Sequence, residues 1–511
     1  MYLLTPAQYQ RWTAGAAAGL AARGLRPGDR VAIVTPEHRY PRLEAAVLQA
    51  RTVAIVNAAL RSGLVPVPIN PLLKPAQVQH ILRDCGAAVF MGSVARRSCW
   101  TQLPGTCPEL QHVVLLDADA AKAEKVVCRG VVTSSVPSRR AVETDLAAIF
   151  YTSGSTGLPK GVMLSHRNLL AGAGSVATYL DNRADDTLLA VLPLSFDAGF
   201  SQLTTALLVG AKVVLLNYLL PMDVVRAMVR HRVTGLTAVP PLFAQLTRID
   251  WPPEAARHLR YWASTGGRLP QSVLSAMQAR APAALPYLMF GLTEAFRATY
   301  LPPHEVARRP DSIGKAIPNA EVLVLREDGS LCDDDEPGEL VQRGPLVALG
   351  YWQRPEATAE RFKPLPQVIA GVRWEGAAPE LAVFSGDTVR RDAEGFLYFV
   401  GRRDEMIKTS GYRVSPTEVE EVAMAHDGIR EAVAVPVPHE TLGSVIRLVV
   451  HGDEVRMSDS DSVRSASLLN HFRQAVPAYM VPTEVVWVAS PLPRNPNGKF
   501  DRQCWRDDAR L

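Results

Sequence analysis

The segment Tyr151-Thr152-Ser153-Gly154-Ser155-Thr156-Gly157-Leu158-Pro159-Lys160-Gly161 follows an apolar, strand-like run, Leu146–Tyr151 (LAAIFY). From Thr152 to Gly161 it packs three glycines, four hydroxyls and one lysine into ten residues. Glycines let backbone N–H groups approach an anion and tolerate positive φ. Hydroxyls donate to phosphate oxygens, and the lysine adds a point charge. The string therefore reads as a polyphosphate-binding loop. It is not a Walker loop, which ends in Gly-Lys-Ser/Thr, whereas Lys160 stands between Pro159 and Gly161. Neither Ser153 nor Ser155 has glycine at both −2 and +2, so a nucleophile elbow is also excluded. Gly172-Ala173-Gly174-Ser175-Val176-Ala177 loosely matches a dinucleotide-binding pattern. It lies within a helical stretch with no strand leading into it, so its glycines read as packing positions.

Outward from the loop, apolar strand-like runs alternate with helical ones. Arg30–Thr35, Val65–Ile69, Ala87–Met91, His112–Asp117, Thr187–Val191 and Lys212–Leu216 read as strands. Glu44–Gly63, Lys74–Cys85, Asn168–Tyr179, Gln202–Val209 and Met222–His231 read as helices. Such alternation predicts an α/β architecture with mostly parallel sheets. Between Ile317 and Tyr398 the texture shifts to short alternating runs and Asp-Gly or Glu-Gly turns, which predict a small antiparallel or barrel-like part. A smaller α+β segment follows Gly401, and the charged run Arg402–Glu405 marks the boundary.

With 55 Lys+Arg against 51 Asp+Glu over 511 residues, the chain lacks the charge excess of a nucleic-acid binder or an acidic tail. The six cysteines include no CxxC pair, which argues against a zinc ribbon and for free thiols in a reducing compartment. The N-terminus lacks a signal-peptide pattern. The apolar tract Leu203–Leu220 is interrupted by Gly210, Lys212 and Asn217, and it predicts a core helix followed by a strand. A soluble, cytoplasmic protein is expected.

Five motifs in order resemble those of the AMP-forming adenylating enzymes: acyl-CoA synthetases, amino-acid adenylating domains and luciferases. They are the loop above, Tyr287–Glu294 (YLMFGLTE), Ser385-Gly386-Asp387, Gly401–Arg413 (GRRDEMIKTSGYR) and Pro493–Lys499 (PRNPNGK). The resemblance implies a large N-terminal domain (1–403) with two mostly parallel sheets flanked by helices plus a small barrel-like part. It also implies a small mobile α+β C-terminal domain (404–511) hinged at Asp404. Thr152, Ser153, Gly154, Ser155, Thr156, Gly157 and Lys160 are then expected to hold the phosphates of ATP, and Thr293 the α-phosphate. Glu294 is expected to bind Mg²⁺, and Phe290, beside Gly291, to stack on adenine where the family usually has tyrosine. Asp387 and Arg402 are expected to meet the ribose, while Lys408 and Gly411 lie in the hinge motif, whose Gly411 loop turns towards the thiol. Lys499 is expected to bridge the substrate carboxylate and the α-phosphate.

By the same resemblance, Asp197, Ala198, Ala238, Ala263, Thr265, Gly266, Met289, Arg297 and Ala298 line the acyl pocket. Phe196-Asp197 matches amino-acid adenylating domains, in which the aspartate meets an α-ammonium. Arg297 maps to the same pocket, and a buried charge without a partner is costly. The two are therefore expected to neutralise each other and leave room for an uncharged acid. The small side chains suggest a bulky hydrophobic acyl group, with an amino acid as the alternative. The chain runs only from Lys499 to Leu511 beyond the lysine motif, so the thiol is expected to be CoA or a separate carrier protein. An acyl-CoA synthetase is the leading expectation. A luciferase-like oxygenase and a non-catalytic nucleotide binder are the competing classes.

Overall fold

The computed structural model describes residues 6–34, 42–71, 73, 75–92, 103–116, 141–152, 159–365, 380–402, 405, 407–409, 412–439, 443–452, 461–476, 478–494 and 500–506. The chain divides into two compact units, one of Met1–Val322 with Val341–Phe384 and one of Leu323–Leu340 with Ser385–Leu511.

The first unit opens on a helix, Pro6–Ala21, that the sequence reading did not anticipate. Strands β1 (Arg30–Val34), β2 (Val65–Ile69), β3 (Ala87–Gly92) and β4 (His112–Leu115) form a parallel sheet in the order β2-β1-β3-β4. The helix Pro75–Cys85 buries Val78, Ile81, Leu82 and Cys85, a one-sided spacing that seats it on this sheet. Burial pushes the Cys85 thiol up to about 12, so it behaves as a core residue rather than a nucleophile.

Strands β5 (Leu146–Thr152) and β6 (Lys160–Ser165) pair antiparallel, and the short strand Gly350–Tyr351 adds to β6. A larger sheet contains β7 (Thr187–Ala190), β8 (Lys212–Leu215), β9 (Gly235–Ala238), β10 (Tyr261–Ser264), β11 (Leu285–Phe290), β12 (Thr299–Leu301) and β13 (Ser312–Ala316). Their order is β13-β12-β11-β10-β9-β7-β8. Strands β7 to β11 pair in parallel, and β12 runs antiparallel to both its neighbours. Parallel neighbours need crossovers, supplied here by helices such as Asp197–Val209, Pro221–His231 and Gln271–Arg280. The apolar tract divides as expected: the helix stops at Val209, Gly210 takes φ +75°, and β8 follows. Among the described residues no helix is long and apolar enough to cross a membrane.

The strand Leu381–Arg391, which belongs to the second unit from Ser385 onward, pairs antiparallel with Leu397–Arg402 through Asp387↔Arg402. Beyond them the long hairpin Ile429–His439/Gly443–Gly452 is flanked by Ile407–Thr409 and Glu484–Trp487. Helices Pro416–Met424 and Asp461–Ala475 contribute Val419, Ala423, Leu468 and Phe472 to its core.

Candidate active site

The polyphosphate-loop motif joins β5 to β6. Thr152 pairs with Lys160 and Tyr151 with Gly161, so the two ends of the loop are clamped side by side. Ser153, Gly154, Ser155, Thr156 and Gly157 lie outside the described residues. The base of the hairpin is braced from below. Tyr151 donates its hydroxyl to Asp84 at 2.6 Å, Arg354 reaches the same carboxylate at 2.6 Å, and Trp352 donates to the Asp84 carbonyl at 3.0 Å. Burial and the nearby Asp84 charge raise the Tyr151 pKa, so the hydroxyl remains a donor. No motif pointed to this brace, because its members come from three distant parts of the chain.

Lys160 places its Nζ 5.7 Å from the centre of the Tyr351 ring. Tyr351 is carried beside β6 by its pairing with Val162, and its hydroxyl donates to Glu294 Oε1 at 2.6 Å. Burial, followed by the Glu294 charge, raises the Tyr351 pKa and keeps the proton in place. Tyr351 thus links Lys160 to Glu294, the two charged residues predicted to face the phosphates. Thr293 and Glu294 lie on a short 3₁₀ turn that leaves β11 directly after Phe290 and Gly291. Ala348 donates its N–H to the Glu294 carbonyl at 2.9 Å, which holds the turn in place. The turn ends at Phe296, which is fully buried with φ +57°. Gly172 makes this possible: a Cβ there would lie 2.2 Å from Phe296 Cδ1.

Among the described residues no group of three or more His, Cys, Asp or Glu converges. Glu294 therefore offers one carboxylate. That donor set fits Mg²⁺, a hard ion that keeps waters and takes phosphate oxygens in addition to one or two carboxylates.

Next to the turn, Arg297 Nη1 lies 3.6 Å from Asp197 Oδ2, and the Arg297 side chain is 4% exposed. The mutual neutralisation expected from the motifs is thus present in the geometry. Gln342 donates to the Arg297 carbonyl at 2.7 Å and fixes the backbone below it. Arg297, Ala198 and Met289 line a narrow cavity of about 20 Å³. Its wall also carries Ser201, Gln202, Thr205 and Thr237, which the sequence reading did not single out. Ala238, Ala263 and Ala298 are completely buried in β9, β10 and the core before β12, and Thr265 is buried just after β10. None of these four is among the residues lining that cavity. Gly266 is exposed with φ +81°.

In the second unit, Asp387 and Arg402 are cross-strand partners, and Arg402 Nε lies 3.2 Å from Asp387 Oδ1. Ser385 Oγ accepts from the Asp387 N–H at 3.0 Å. Lys408 occupies the strand Ile407–Thr409, opposite Arg413. Asp404, Gly411 and Lys499 lie outside the described residues.

The family of AMP-binding enzymes matches residues 2–352, and the AMP-binding enzyme C-terminal domain matches residues 418–499. A long-chain-fatty-acid–CoA ligase of Salmonella typhimurium is 30% identical over 531 residues, covering 95% of this chain and 86% of that protein. One of the linear gramicidin synthase proteins of Brevibacillus parabrevis is 30% identical over 504 residues, covering 98% of this chain but 9% of that much longer one. Among solved structures, ATP-bound MatB from Rhodopseudomonas palustris superposes with a TM-score of 0.83 at 25% identity, over 98% of this chain and 92% of its own.

Proposed function

This chain belongs to the AMP-binding enzyme family, and from that premise we propose that it is an AMP-forming acid–thiol ligase. It activates a carboxylic acid with ATP to an acyl-adenylate, releases pyrophosphate, and passes the acyl group to CoA. The observation that carries this reading is the Lys160–Tyr351–Glu294 cluster at the mouth of the β5–β6 hairpin. It sets a cation and a carboxylate together at the Lys160 end of that hairpin.

A carboxylic acid with a pKa near ~4 is ionised at neutral pH, so the first step requires no general base. The difficulty is electrostatic: an anion must approach an anion, and catalysis consists of positioning and charge neutralisation. Thr152, Lys160 and the loop hydroxyls bind the phosphates, and Thr293 meets the α-phosphate. Glu294, aimed by the Tyr351 hydroxyl, holds Mg²⁺, which when bound offsets phosphate charge. Phe290 offers its half-exposed ring to adenine at the carboxyl end of β11, where open α/β sheets bind ligands. Asp387, oriented by Arg402, accepts from the ribose hydroxyls. Lys499 neutralises the carboxylate and α-phosphate as they meet. Asp404 serves as the hinge of the 404–511 domain, which presents the Gly411 loop for thiolysis. ATP and CoA are cytoplasmic metabolites, so the reaction belongs in the cytoplasm.

A second reading, an amino-acid adenylating enzyme that loads a separate carrier protein, is favoured by Asp197 and by the gramicidin synthase relative. Arg297 speaks against it, because the charge that would meet an α-ammonium is already paired. Pyrophosphate release, screened over carboxylic and amino acids with and without CoA, tests both. Acid-dependent release accompanied by acyl-CoA in the mass spectrum is expected. Release with amino acids alone and no CoA product favours the second reading, and no acid-dependent release overturns both.

A further inference from the structure

We propose that the acid activated here carries an uncharged hydrogen-bonding group, a hydroxyl or an amide, on its tail, held by the Ser201–Thr205 face of the helix Asp197–Val209. The inference rests on the reading of the Ala198/Met289/Arg297 cavity as the acyl pocket of an adenylating enzyme. Along that helix Ala198, Ser201, Gln202 and Thr205 follow the spacing that puts side chains on one face, and all four line the cavity. From Asp197 to Thr205 the helix rises about 12 Å at ~1.5 Å per residue, so polar groups recur along two turns of the wall.

Those groups are unsatisfied. Ser201 Oγ, Gln202 Oε1, Thr205 Oγ1 and Arg297 Nε are each buried without a hydrogen-bond partner among the described residues. Ser201, Thr205 and Arg297 are 2%, 1% and 3% exposed. The amide nitrogen of Gln202 is occupied, donating to the Leu189 and Thr237 carbonyls at 3.2 and 3.4 Å, which turns its oxygen loose as an acceptor. Native proteins rarely leave such atoms unpaired, and these four belong to residues that line one cavity. Arg297 Nε can only donate and Gln202 Oε1 can only accept, while the two hydroxyls do either. The complementary group both donates and accepts. It is also uncharged, because the Asp197–Arg297 pair already balances the pocket and any further buried charge would have no counterion. The remaining wall, Val176, Leu180, Leu188 and Met289, is apolar. The competing explanation is resident water: about 20 Å³ accommodates one or two molecules able to satisfy the same atoms.

Matched acids distinguish the two on the full-length protein. Octanoate is compared with 8-hydroxyoctanoate, and 3-phenylpropanoate with 3-(4-hydroxyphenyl)propanoate, by pyrophosphate release. The proposal expects the hydroxylated member of at least one pair to be favoured by about 100-fold or more in kcat/KM, because a site built to bind a hydroxyl rejects the analogue that lacks it. The double substitution Ser201→Ala/Thr205→Val should collapse that ratio to below about 5-fold. Where the double variant does not fold, Gln202→Glu provides the second measurement: its added charge should lower kcat/KM for the hydroxylated acid by more than about 10-fold, while KM for ATP stays put. Equal use of both members of each pair, or a preference that survives the double substitution, overturns the proposal and favours resident water. Absence of acid-dependent pyrophosphate release with every acid overturns the ligase reading itself, a separable result.

Discussion

The Tyr351 hydroxyl donates to Glu294 across 57 residues of sequence, at 2.6 Å, from a short strand that pairs with β6 of the β5–β6 hairpin. A carboxylate on a three-residue turn has few restraints of its own. The tyrosine supplies one and ties the turn to the element that carries Lys160. Tyr351→Phe removes this bond, together with the hydroxyl's interaction with Arg361, and keeps the ring. Loss of a partner that orients a metal-binding side chain typically costs about 10–100-fold in metal affinity or activity. We expect the magnesium concentration for half-maximal pyrophosphate release to rise by about 10-fold or more, with thermal stability little changed. An unaltered magnesium titration would show that Tyr351 does not orient Glu294.

Gly172 is reserved for the ring of Phe296. In Gly172→Ala the new methyl would lie 2.2 and 2.4 Å from Phe296 Cδ1 and Cε1, so the ring must move. Phe296 lies between Glu294 and Arg297, and its displacement disturbs both. Overpacking costs about 1–3 kcal/mol, against which alanine's helix propensity returns about 1. A lower melting temperature together with reduced acid activation is expected. Gly174→Ala is the control: nothing lies within 4 Å of the place its methyl would take, so there the helix gain acts alone. Equal behaviour of the two variants would contradict the packing role of Gly172.

Much of the scaffold is written locally. Val65–Ile69 and the helix from Lys74 or Pro75 to Cys85 agree to within a residue between sequence and structure, because periodicity and flanking turns fix them. The helix expected at Gln202 instead begins at Asp197. Its N-cap, Phe196, makes no side-chain capping bond, and Gly199 interrupts the helical pattern, so nothing local announces the first turn. That missing turn is the one that brings Asp197 and Ala198 onto the same face as Ser201 and Thr205. The glycine decoy at Gly172–Ala177 does lie within a helix, His166–Tyr179. Tyr351 and Asp84 were illegible for a different reason: each acts through a tertiary hydrogen bond whose partner lies 57 to 270 residues away, and such pairs leave no pattern along the chain.

Lys499 is assigned from the Pro493–Lys499 motif to the adenylation step alone. Removing one preorganised charge from a transition state costs about 100–1,000-fold in rate, by analogy with oxyanion-hole deletions. Lys499→Ala should therefore cut acid-dependent pyrophosphate release by that order. Thiolysis of a supplied acyl-adenylate by CoA should change less than about 5-fold, since its charge problem is different. Equal loss in both half-reactions would refute the division of labour.

Asp186 gives the pH prediction. Its side chain is 2% exposed and takes hydrogen bonds from Thr234 at 2.7 Å and from Arg260 at 2.9 and 2.6 Å, tying the start of β7 to β10. Burial opposes its ionisation, but the bonds from Arg260 and Thr234 outweigh that and hold the carboxyl below the usual carboxylate range. A pKa depressed in the folded state means stability that is fully present above the unfolded value of about 3.9 and is lost as pH falls through the folded value. Asp186→Asn keeps the shape and removes the charge. At pH 7 it should cost about 2 kcal/mol, since Arg260 is left without its charged partner. The gap between wild type and variant should narrow as the pH is lowered below about 4, where Asp186 of the unfolded chain takes up a proton that the folded carboxylate still resists. Urea unfolding midpoints measured from pH 7 down to 3 report both quantities, and a gap that stays constant over that range would mean that the Asp186 carboxylate is not the source of the stability.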